Sequence, residues 1–354
     1  MSRFLSQKHA ALAPYTPGEQ PRDMQYIKLN TNENPFSPSP KAQQYAAEAL
    51  KKLQLYSDPE CTVLRQKMAA LYGLEPDEVL PTNGSDEILN FAFMAFGDSD
   101  HPALFPDITY GFYPVFAQLN GVPYLEIPLC DDYTIDLSEY AGHVGLIVIA
   151  NPNAPTGIAV SRDEIETLLA YNPRSVVVVD EAYVDFGGES CVPLIHKYDN
   201  LLVTQTFSKS RSMAGARLGF GFGCKELIRD LNAIKYATNP YNVNAMTMAA
   251  GIGMLEDEAY TRQNCRTIIE TRDWTAQTLA EYGYECLPSC TNFLFVRHPK
   301  LDGEAVYQHL REKGILVRYF AKPRLRDFLR ITIGTKEQMQ SVVKALREEV
   351  EATA

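Results

Sequence analysis

The chain has 354 residues, of which 45% are hydrophobic and 22% are charged, a composition that is ordinary for a globular protein. This length exceeds a usual single hydrophobic core, so we expect one large domain and one smaller domain. The formal net charge of −11 argues against general binding to nucleic acids or anionic membranes, although it leaves room for a local basic pocket.

No apolar run approaches the roughly 20 residues that cross a bilayer, and residues 1–10 lack the apolar region of a signal peptide. We therefore expect a cytoplasmic protein. The seven cysteines are scattered without a CxxC pair, which predicts reduced thiols and neither a disulfide framework nor a zinc site. The six histidines show no HExxH-like pattern either, so we expect no metal.

The chain begins with a segment, called the arm below, that precedes the predicted helices and strands. Residues 1–40 are rich in proline and weakly periodic, which predicts an extended segment. Apolar residues at helical spacing then predict helices over residues 41–53 and 58–72. From Leu80 onward, predicted strands alternate with helices. The strands are expected at residues 103–105, 124–127, 145–150, 175–179, 201–203 and 219–223, and the helices at residues 83–96 and 161–171.

This alternation predicts a mostly parallel sheet covered on both faces, and hence an α/β fold. We expect the sheet to form a large domain over residues 41–245. A helical region over residues 242–282, with interruptions, leads to a different pattern, which predicts a smaller α+β domain over residues 246–354. Its strands are expected at residues 292–296, 315–318 and 328–333, and its helices at residues 303–313 and 336–349.

Lys209 lies in a polar turn after a predicted strand, with Ser208 before it and Arg217 a short distance beyond. A lone lysine in a loop is often only a surface residue. Because burying an unpaired ammonium is costly, a lysine held among hydroxyls and an arginine suits an amine that is used in its neutral form. Such an amine acts as a nucleophile in Schiff-base chemistry.

Other polar groups are expected at the same edge of the sheet, where open parallel sheets bind ligands. Asp180 ends an apolar strand and is either a helix cap or the partner of a buried cation, and Tyr183 could reach the same place. The stretch Gly84-Ser85-Asp86 opens a helix, so it is either an ordinary N-cap or a phosphate site built on backbone N–H groups. Asn151 and Asn153 follow a third strand.

Together, these groups meet the needs of one cofactor, pyridoxal 5′-phosphate. Its aldehyde needs a lysine, its ring nitrogen needs an acid that keeps it protonated, and its phosphate needs amides, hydroxyls and an arginine. Lys209 and Asp180 meet the first two needs. The phosphate would be held by Gly84, Ser85, Asp86, Thr206, Ser208 and Arg217.

The chain also resembles a known family, from about Pro14 to Gly334 and in consistent order. Three motifs resemble the class I and II aminotransferases, which are pyridoxal-phosphate enzymes of fold type I. They are Asn151-Pro-Asn-Ala-Pro-Thr-Gly157, Asp180-Glu-Ala-Tyr183, and Thr206-Phe-Ser-Lys209 followed by Arg217. Four more resemble the histidinol-phosphate aminotransferases within that family: Leu29-Asn-Thr-Asn-Glu-Asn-Pro35, Tyr56-Ser-Asp-Pro59, Asn83-Gly-Ser-Asp-Glu87 and Phe328-Leu-Arg-Ile-Thr-Ile-Gly334.

The resemblance implies the architecture of the pyridoxal-phosphate-dependent transferases of fold type I. This architecture has a mostly parallel seven-stranded sheet in the large domain and a smaller α+β C-terminal domain. It also implies that the arm, residues 1–40, packs against the small domain and the partner subunit.

The resemblance further implies roles for single residues. Lys209 would form the Schiff base with the cofactor and then carry the proton between substrate and cofactor. Asp180 would pair with the ring nitrogen, and Tyr183 would donate a hydrogen bond to the ring hydroxyl. Tyr110 would stack on the ring. Tyr56 would reach the cofactor phosphate of the other subunit, which makes a homodimer with a shared active site obligatory.

The same resemblance places Arg330, Arg318, Tyr15 of the arm and Asn32 at the substrate. Two guanidinium groups suit a phosphate ester or a carboxylate. Arg330 lies in an apolar strand that suggests burial, whereas Arg318 could equally be a surface charge.

The chain departs from the family at Ala154, where an asparagine usually contacts the ring hydroxyl. Tyr183, together with Asn153, would then carry that contact.

We therefore expect a homodimeric aminotransferase that acts on histidinol phosphate with 2-oxoglutarate as amino acceptor, as in histidine biosynthesis. Two alternatives share the fold. One is an aromatic or other amino-acid aminotransferase, and the other is a threonine-phosphate decarboxylase, which would release carbon dioxide without amino transfer. A third, the effector-binding domain of a transcription regulator, needs an added helix-turn-helix, for which we expect no room.

Overall fold

The computed structural model describes residues 2–10, 12–21 and 23–353. The α-helices are α1 (Pro40–Leu50), α2 (Thr62–Tyr72), α3 (Ser85–Phe96), α4 (Tyr113–Asn120), α5 (Arg162–Tyr171), α6 (Lys225–Thr238), α7 (Ala245–Leu255), α8 (Glu258–Glu281), α9 (Gly303–Glu312) and α10 (Lys336–Thr353). The strands are β1 (Ile27–Lys28), β2 (Val79–Thr82), β3 (Ala103–Pro106), β4 (Tyr124–Ile127), β5 (Leu146–Ala150), β6 (Val176–Asp180), β7 (Leu201–Thr206), β8 (Gly219–Gly223), β9 (Glu285–Cys286), β10 (Phe293–Arg297), β11 (Ile315–Leu316), β12 (Arg318–Tyr319) and β13 (Leu329–Thr332).

Seven strands form the central sheet, in the order β2-β8-β7-β6-β5-β3-β4. Strand β8 runs antiparallel to both of its neighbours, and the other neighbouring pairs are parallel. The predicted α/β fold with a mostly parallel seven-stranded sheet is therefore confirmed. Strands β5, β6 and β7 occupy the middle of the sheet, where their Val, Ile and Leu runs are buried because helices cover both faces.

Two apolar cores lie on the two faces of this sheet. Helices α3, α4 and α6 contribute to one core, and helices α1, α2, α5 and α7 contribute to the other. This arrangement leaves the carboxyl ends of the parallel strands free to hold polar side chains. No helix of the described residues is long and apolar enough to cross a membrane.

The C-terminal part forms a second sheet, in the order β12-β13-β10-β9, whose neighbouring strands are antiparallel. Helices α8, α9 and α10 share its apolar core. The arm joins this part, because β1 pairs in parallel with β11 in a separate two-stranded sheet. The strand predicted at residues 315–318 is therefore two short strands, since β11 binds the arm while β12 pairs with β13.

Other details also differ from the prediction. Helix α6 was not expected, although Leu227, Ile228 and Leu231 are buried on one face of it. The helical region predicted with interruptions over residues 242–282 comprises α7 and α8, in agreement with the prediction.

Helix α7 lies beyond the boundary predicted at residue 245, yet Met248 and Met254 pack in the core beneath the seven-stranded sheet. Helix α8 follows at once, and its Cys265 and Ile268 pack in the core of the C-terminal part. On this packing we place the boundary between the two parts after Leu255.

Helices α1 and α7 approach closely at Gly253. A Cβ atom there would lie 2.6 Å from the Ala42 Cα and 2.8 Å from the Ala42 backbone nitrogen. Because displacing backbone atoms costs free energy, Gly253→Ala should lower the free energy of unfolding by about 1–3 kcal/mol, measured by urea denaturation. Gly215→Ala is the matched control, since nothing lies within 4 Å of its added Cβ. Equal losses in the two variants would contradict this packing.

Candidate active site

The carboxyl ends of β5, β6 and β7 and the first turn of α3 meet around a cavity of about 240 Å³. The lysine turn follows β7, and Asp180 is the last residue of β6. Most residues predicted to bind the cofactor line this cavity. They are Ser85, Asp86, Tyr110, Asp180, Tyr183, Thr206, Ser208, Lys209 and Arg217.

The Lys209 amine projects into this cavity. Its Nζ donates to the Thr31 carbonyl at 3.2 Å and lies 5.8 Å from the centre of the Tyr183 ring. Asn34 holds the turn itself by donating to the Lys209 carbonyl at 2.9 Å. Burial, followed by the positive charge of Arg330, lowers the pKa of Lys209 to about 8. A neutral amine is therefore well populated just above neutral pH.

The acid of the site is the carboxyl group of Asp180, a residue that is 5% exposed. Its Oδ2 accepts a hydrogen bond from the Tyr113 hydroxyl at 2.9 Å, and its Oδ1 accepts from the Ala182 N–H at 3.2 Å. Burial raises the pKa of Asp180 to about 6, while the Tyr113 hydrogen bond opposes that rise. A cationic partner on the cavity side of Asp180 would stabilise its ionised carboxylate.

Sequence reasoning gave no role to Tyr113, which is fully buried at the start of α4. Its partner Asp180 is distant in the chain, so no local spacing could reveal the contact. The only signal is its position three residues after Tyr110, in the same aromatic-rich stretch.

Tyr183 is held by the arm and the C-terminal part together. Asn32 Nδ2 donates to the Tyr183 hydroxyl at 2.8 Å, and Asn32 Oδ1 accepts from the Thr332 hydroxyl at 3.0 Å. The edge of the Phe293 ring meets the Tyr183 ring, with centres 5.2 Å apart. The Asn32 amide therefore orients Tyr183, and Asn32, which was predicted to bind substrate, also lines a second cavity next to this one.

The start of α3 forms a cradle that only glycine permits. Gly84 has φ +76°, and a Cβ on it would lie 2.5 Å from Arg217 Nη2. A Cβ on Gly219 would lie 2.4 Å from the Ser85 backbone nitrogen. Ser208 completes the cradle, because its hydroxyl accepts from Thr206 Oγ1 at 3.0 Å and from Arg217 Nη1 at 3.3 Å. An anion placed here would meet backbone N–H groups, hydroxyls and a guanidinium.

The Asp86 side chain differs from its neighbours in the cradle, because both of its oxygens already accept hydrogen bonds. Its Oδ1 accepts from the Tyr110 hydroxyl at 2.7 Å, and its Oδ2 accepts from Arg217 Nη2 at 2.9 Å. The Asp86 carboxylate therefore orients Tyr110 and Arg217. Because a carboxylate repels a phosphate dianion, the predicted contact of Asp86 with the phosphate would be made by its backbone N–H in the first turn of α3.

These residues fit pyridoxal 5′-phosphate. A lysine with a lowered pKa and a buried acid line one cavity, and a glycine-based anion cradle closes one end of it. No group of three or more His, Cys, Asp or Glu side chains within the described ranges could hold a metal ion.

A second cavity, of about 290 Å³, shares Tyr110, Tyr183 and Lys209 with the first. Arg330 lines it. Arg330 Nη2 donates to the Asn30 carbonyl at 3.1 Å, whereas its buried Nε has no hydrogen-bond partner in the described part of the chain. Burial lowers the pKa of Arg330, which shows that its charge is incompletely compensated.

The other predicted substrate residues hold the arm over this second cavity. Arg318 donates to the Thr16 carbonyl at 3.2 Å and to the Pro17 carbonyl at 3.3 Å. The Tyr15 ring stacks on Phe112, with ring centres 4.2 Å apart. Both residues line the cavity with Arg330, so the structure brings the predicted substrate group together.

Two predicted residues lie elsewhere. Asn153 does not line either cavity, because its Nδ2 donates to the Ile108 carbonyl at 3.0 Å and its Oδ1 accepts from Thr109 at 2.9 Å. The Asn153 amide is therefore hydrogen-bonded to the neighbouring loop, whereas Tyr183 lines the first cavity. Tyr56 is 85% exposed and stacks on Tyr241, outside the cavity of its own chain.

The sequence profile of the family "Aminotransferase class I and II" matches residues 24–346. The chain belongs to this family. It is therefore a pyridoxal-phosphate-dependent aminotransferase, and the class and the cofactor predicted from the sequence are confirmed.

Within the family, the chain is similar to named relatives along nearly its whole length. It is 48% identical to histidinol-phosphate aminotransferase 1 of Bradyrhizobium diazoefficiens, covering 98% of this chain and 99% of the relative. It is 50% identical to histidinol-phosphate aminotransferase of Chromohalobacter salexigens, with the same coverage of 98% and 99%.

A solved structure shares the fold. Histidinol-phosphate aminotransferase of Sinorhizobium meliloti, in complex with pyridoxal 5′-phosphate, superposes with a TM-score of 0.85 over 93% of this chain and 92% of that chain. At 24% identity this likeness establishes the fold only.

The lowered pKa of Lys209 predicts a pH profile. Only a neutral amine attacks an aldehyde, so covalent modification of the cofactor-free protein by pyridoxal should accelerate with pH and level off above a midpoint near 8. An ordinary lysine would show a midpoint of about 10.4. Borohydride trapping and mass spectrometry of the Lys209 peptide at several pH values would measure this midpoint.

The same assay tests the contribution of Arg330. Arg330→Met removes a positive charge that opposes the ammonium, so it should raise the Lys209 midpoint by up to about one pH unit. Arg326→Met is the control, because the Arg326 side chain is 70% exposed. A midpoint that does not move in Arg330→Met would contradict this electrostatic effect.

Proposed function

We propose that this protein transfers the amino group of histidinol phosphate to 2-oxoglutarate, giving imidazole acetol phosphate and glutamate in histidine biosynthesis. The names of relatives that are 48% and 50% identical over almost the whole chain support this substrate. The structural observation that carries the proposal is the Arg330 guanidinium, which lines one cavity with Lys209 and has no carboxylate partner among the described residues. An anionic amino donor would supply that partner.

Pyridoxal 5′-phosphate, when bound, supplies an aldehyde that accepts an amino group and a ring that draws electrons from the substrate α-carbon. Lys209 would bond to that aldehyde and would later carry the proton at the α-carbon. Its pKa of about 8 suits both tasks, because the neutral amine is a nucleophile and a base matched to a pH near neutrality.

Asp180 would stand against the ring nitrogen. Its carboxylate is buried, and a protonated nitrogen would compensate the cost of that burial, so each charge would stabilise the other. Tyr113 holds the far side of the same carboxyl group and thereby fixes its direction. Tyr183, whose hydroxyl oxygen accepts from Asn32, keeps its own proton to donate to the ring oxygen.

The cofactor phosphate would occupy the cradle at the start of α3. Arg217 and Ser208 would donate to it from one side, and the Ser85 N–H would donate from the helix N-terminus. The ion pair between Arg217 and Asp86 keeps the guanidinium in place before the phosphate arrives.

The two substrates would use one set of cations in turn. Arg330 and Arg318, with Lys322 beside them, line the second cavity and suit both a phosphate ester and a dicarboxylate. This sharing agrees with a ping-pong order, in which the donor leaves before the acceptor binds. The arm, through Tyr15 and Arg318, would exclude water from the site.

A homodimer would complete the site. The side chain of Tyr56 is 85% exposed although it stacks on Tyr241, which suits a residue that reaches the cofactor phosphate of a second copy. Residues near Tyr56 in sequence and its stacking partner also expose apolar side chains, which favours an interface: Leu50, Leu53, Leu55, Val63 and Tyr241. We place the enzyme in the cytoplasm, since its seven cysteines are unpaired, as is usual in a reducing compartment.

Titration with single amino donors tests the substrate. Histidinol phosphate, phenylalanine and threonine phosphate would each be added to the cofactor-loaded enzyme while its absorbance is followed. We expect histidinol phosphate to convert the cofactor with a kcat/KM at least about 100-fold above the other two. Lys209→Ala is the control and should convert with none of them. Preferred conversion by phenylalanine, or release of carbon dioxide from threonine phosphate, would replace the proposed substrate.

Replacing Arg330 tests its role at the substrate. Arg330→Met removes a charge-assisted contact, so kcat/KM for both substrates should fall about 100-fold. Affinity for pyridoxamine 5′-phosphate, which forms no bond to Lys209, should change by less than about threefold. The variant should also unfold at a higher temperature, because it no longer buries an unpaired cation. Enzyme kinetics, equilibrium dialysis and calorimetry measure the three quantities. An equal loss of substrate and cofactor binding would place Arg330 in another role.

A further inference from the structure

The motif Asn83-Gly-Ser-Asp-Glu87 contains two residues that the proposed function does not use, Asn83 and Glu87. Glu87 lies in the first turn of α3, next to the phosphate cradle. Its Oε2 accepts from the Asn83 backbone N–H at 2.7 Å, which caps the start of the helix. The same oxygen accepts from Asn242 Nδ2 at 2.5 Å.

Asn242 lies in the segment between α6 and α7 and is 4% exposed. Its backbone is held as well, because Asn83 Nδ2 donates to the Asn242 carbonyl at 3.0 Å. Both its side chain and its backbone are therefore tied to the residues that open α3. A buried amide that bonds a carboxylate is costly to remove, which makes this attachment firm.

Both neighbours of Asn242 in sequence contact the segment that carries Tyr56. The Tyr241 ring stacks on the Tyr56 ring, with centres 4.6 Å apart and planes inclined by 25°. The Val243 carbonyl accepts from the Ser57 hydroxyl at 2.8 Å. The direction of the Tyr56 side chain is therefore set mainly by residues on either side of Asn242.

A third contact holds the far end of the same segment. Lys235 Nζ, on α6, donates to the Pro59 carbonyl at 2.7 Å, and the Lys235 side chain is buried. With both ends held, the exposed Tyr56 ring has a defined direction away from its own chain.

We propose that Asn242 is a positioning residue that aims Tyr56 at the cofactor phosphate bound by a second copy of this chain. This inference rests on the homodimer with a shared active site that is part of the proposed function. Asn242 touches neither cofactor nor substrate. It acts by fixing residues 241–243 to the start of α3, so that Tyr241 and Val243 present the Tyr56 hydroxyl in one direction.

A double-mutant cycle with Tyr56→Phe tests this role. Phenylalanine keeps the ring that stacks on Tyr241 but removes the hydroxyl that would bind the phosphate. The probe is pyridoxamine 5′-phosphate, which has no aldehyde to bond with Lys209, so equilibrium dialysis reports non-covalent affinity alone. Sedimentation velocity on the same samples would confirm that each variant is dimeric.

Asn242→Ala should weaken binding of pyridoxamine 5′-phosphate about tenfold when Tyr56 is present. In the Tyr56→Phe background it should weaken binding by less than about twofold, because no hydroxyl remains to be aimed. If Asn242→Ala does not fold, Asn242→Ser provides the same comparison, since its shorter side chain does not reach Glu87. Asn90→Ala is the matched control, because it also removes a side-chain hydrogen bond of α3, the one that Asn90 Oδ1 accepts from Asn120 of α4 at 2.9 Å, but lies outside the Tyr56 segment.

An equal loss of affinity in both Tyr56 backgrounds would overturn the inference, since Asn242 would then act on the cradle of its own chain. If Tyr56→Phe alone binds the probe as tightly as the wild type does, the shared site is wrong and the inference is wrong with it. If the wild-type dimer fails to bind the probe at all, the proposed function itself has failed. These three results are distinguishable in one set of isotherms.

Discussion

The burial of two cations in one connected space is the constraint on which the rest of this structure depends. Lys209 and Arg330 line the same cavity, and burial together with the charge of Arg330 lowers the pKa of Lys209 to about 8. An amine in this setting is neutral often enough to react. The guanidinium stays charged and lacks a carboxylate partner within the described residues, so it favours an anionic ligand.

The surrounding structure makes this unfavourable arrangement tolerable. Parallel strands with buried apolar runs end together, and polar residues collect only where those strands stop. Asp180 keeps its direction through Tyr113, and Arg217 keeps its direction through Asp86. The site therefore holds its charges in place before any ligand arrives, at a cost in stability that the large apolar cores on either side offset.

Three parts of the chain meet at this site, and each brings one kind of chemistry. The seven-stranded sheet supplies Lys209 and Asp180, the C-terminal part supplies Arg330, and the arm supplies Asn32. The arm is fixed to the C-terminal part by the pairing of β1 with β11 and by the contacts of Arg318. A movement of the C-terminal part would therefore carry the arm and the substrate cations together.

The amino-acid sequence was enough to predict the α/β class, all strands of the central sheet except β2, and the two residues with the most specific chemistry, Lys209 and Asp180. These features are local, because apolar runs and turn residues are read within a few positions of one another. The tertiary structure alone decided the bonds from Tyr113 to Asp180 and from Asn32 to Tyr183, and it diverted Asn153 into a loop contact. It also placed α7 beneath the large sheet. Each of these outcomes depends on residues that are far apart in the chain. Tertiary packing brings such residues together, and the sequence between them contains no periodic pattern from which the contact could be predicted.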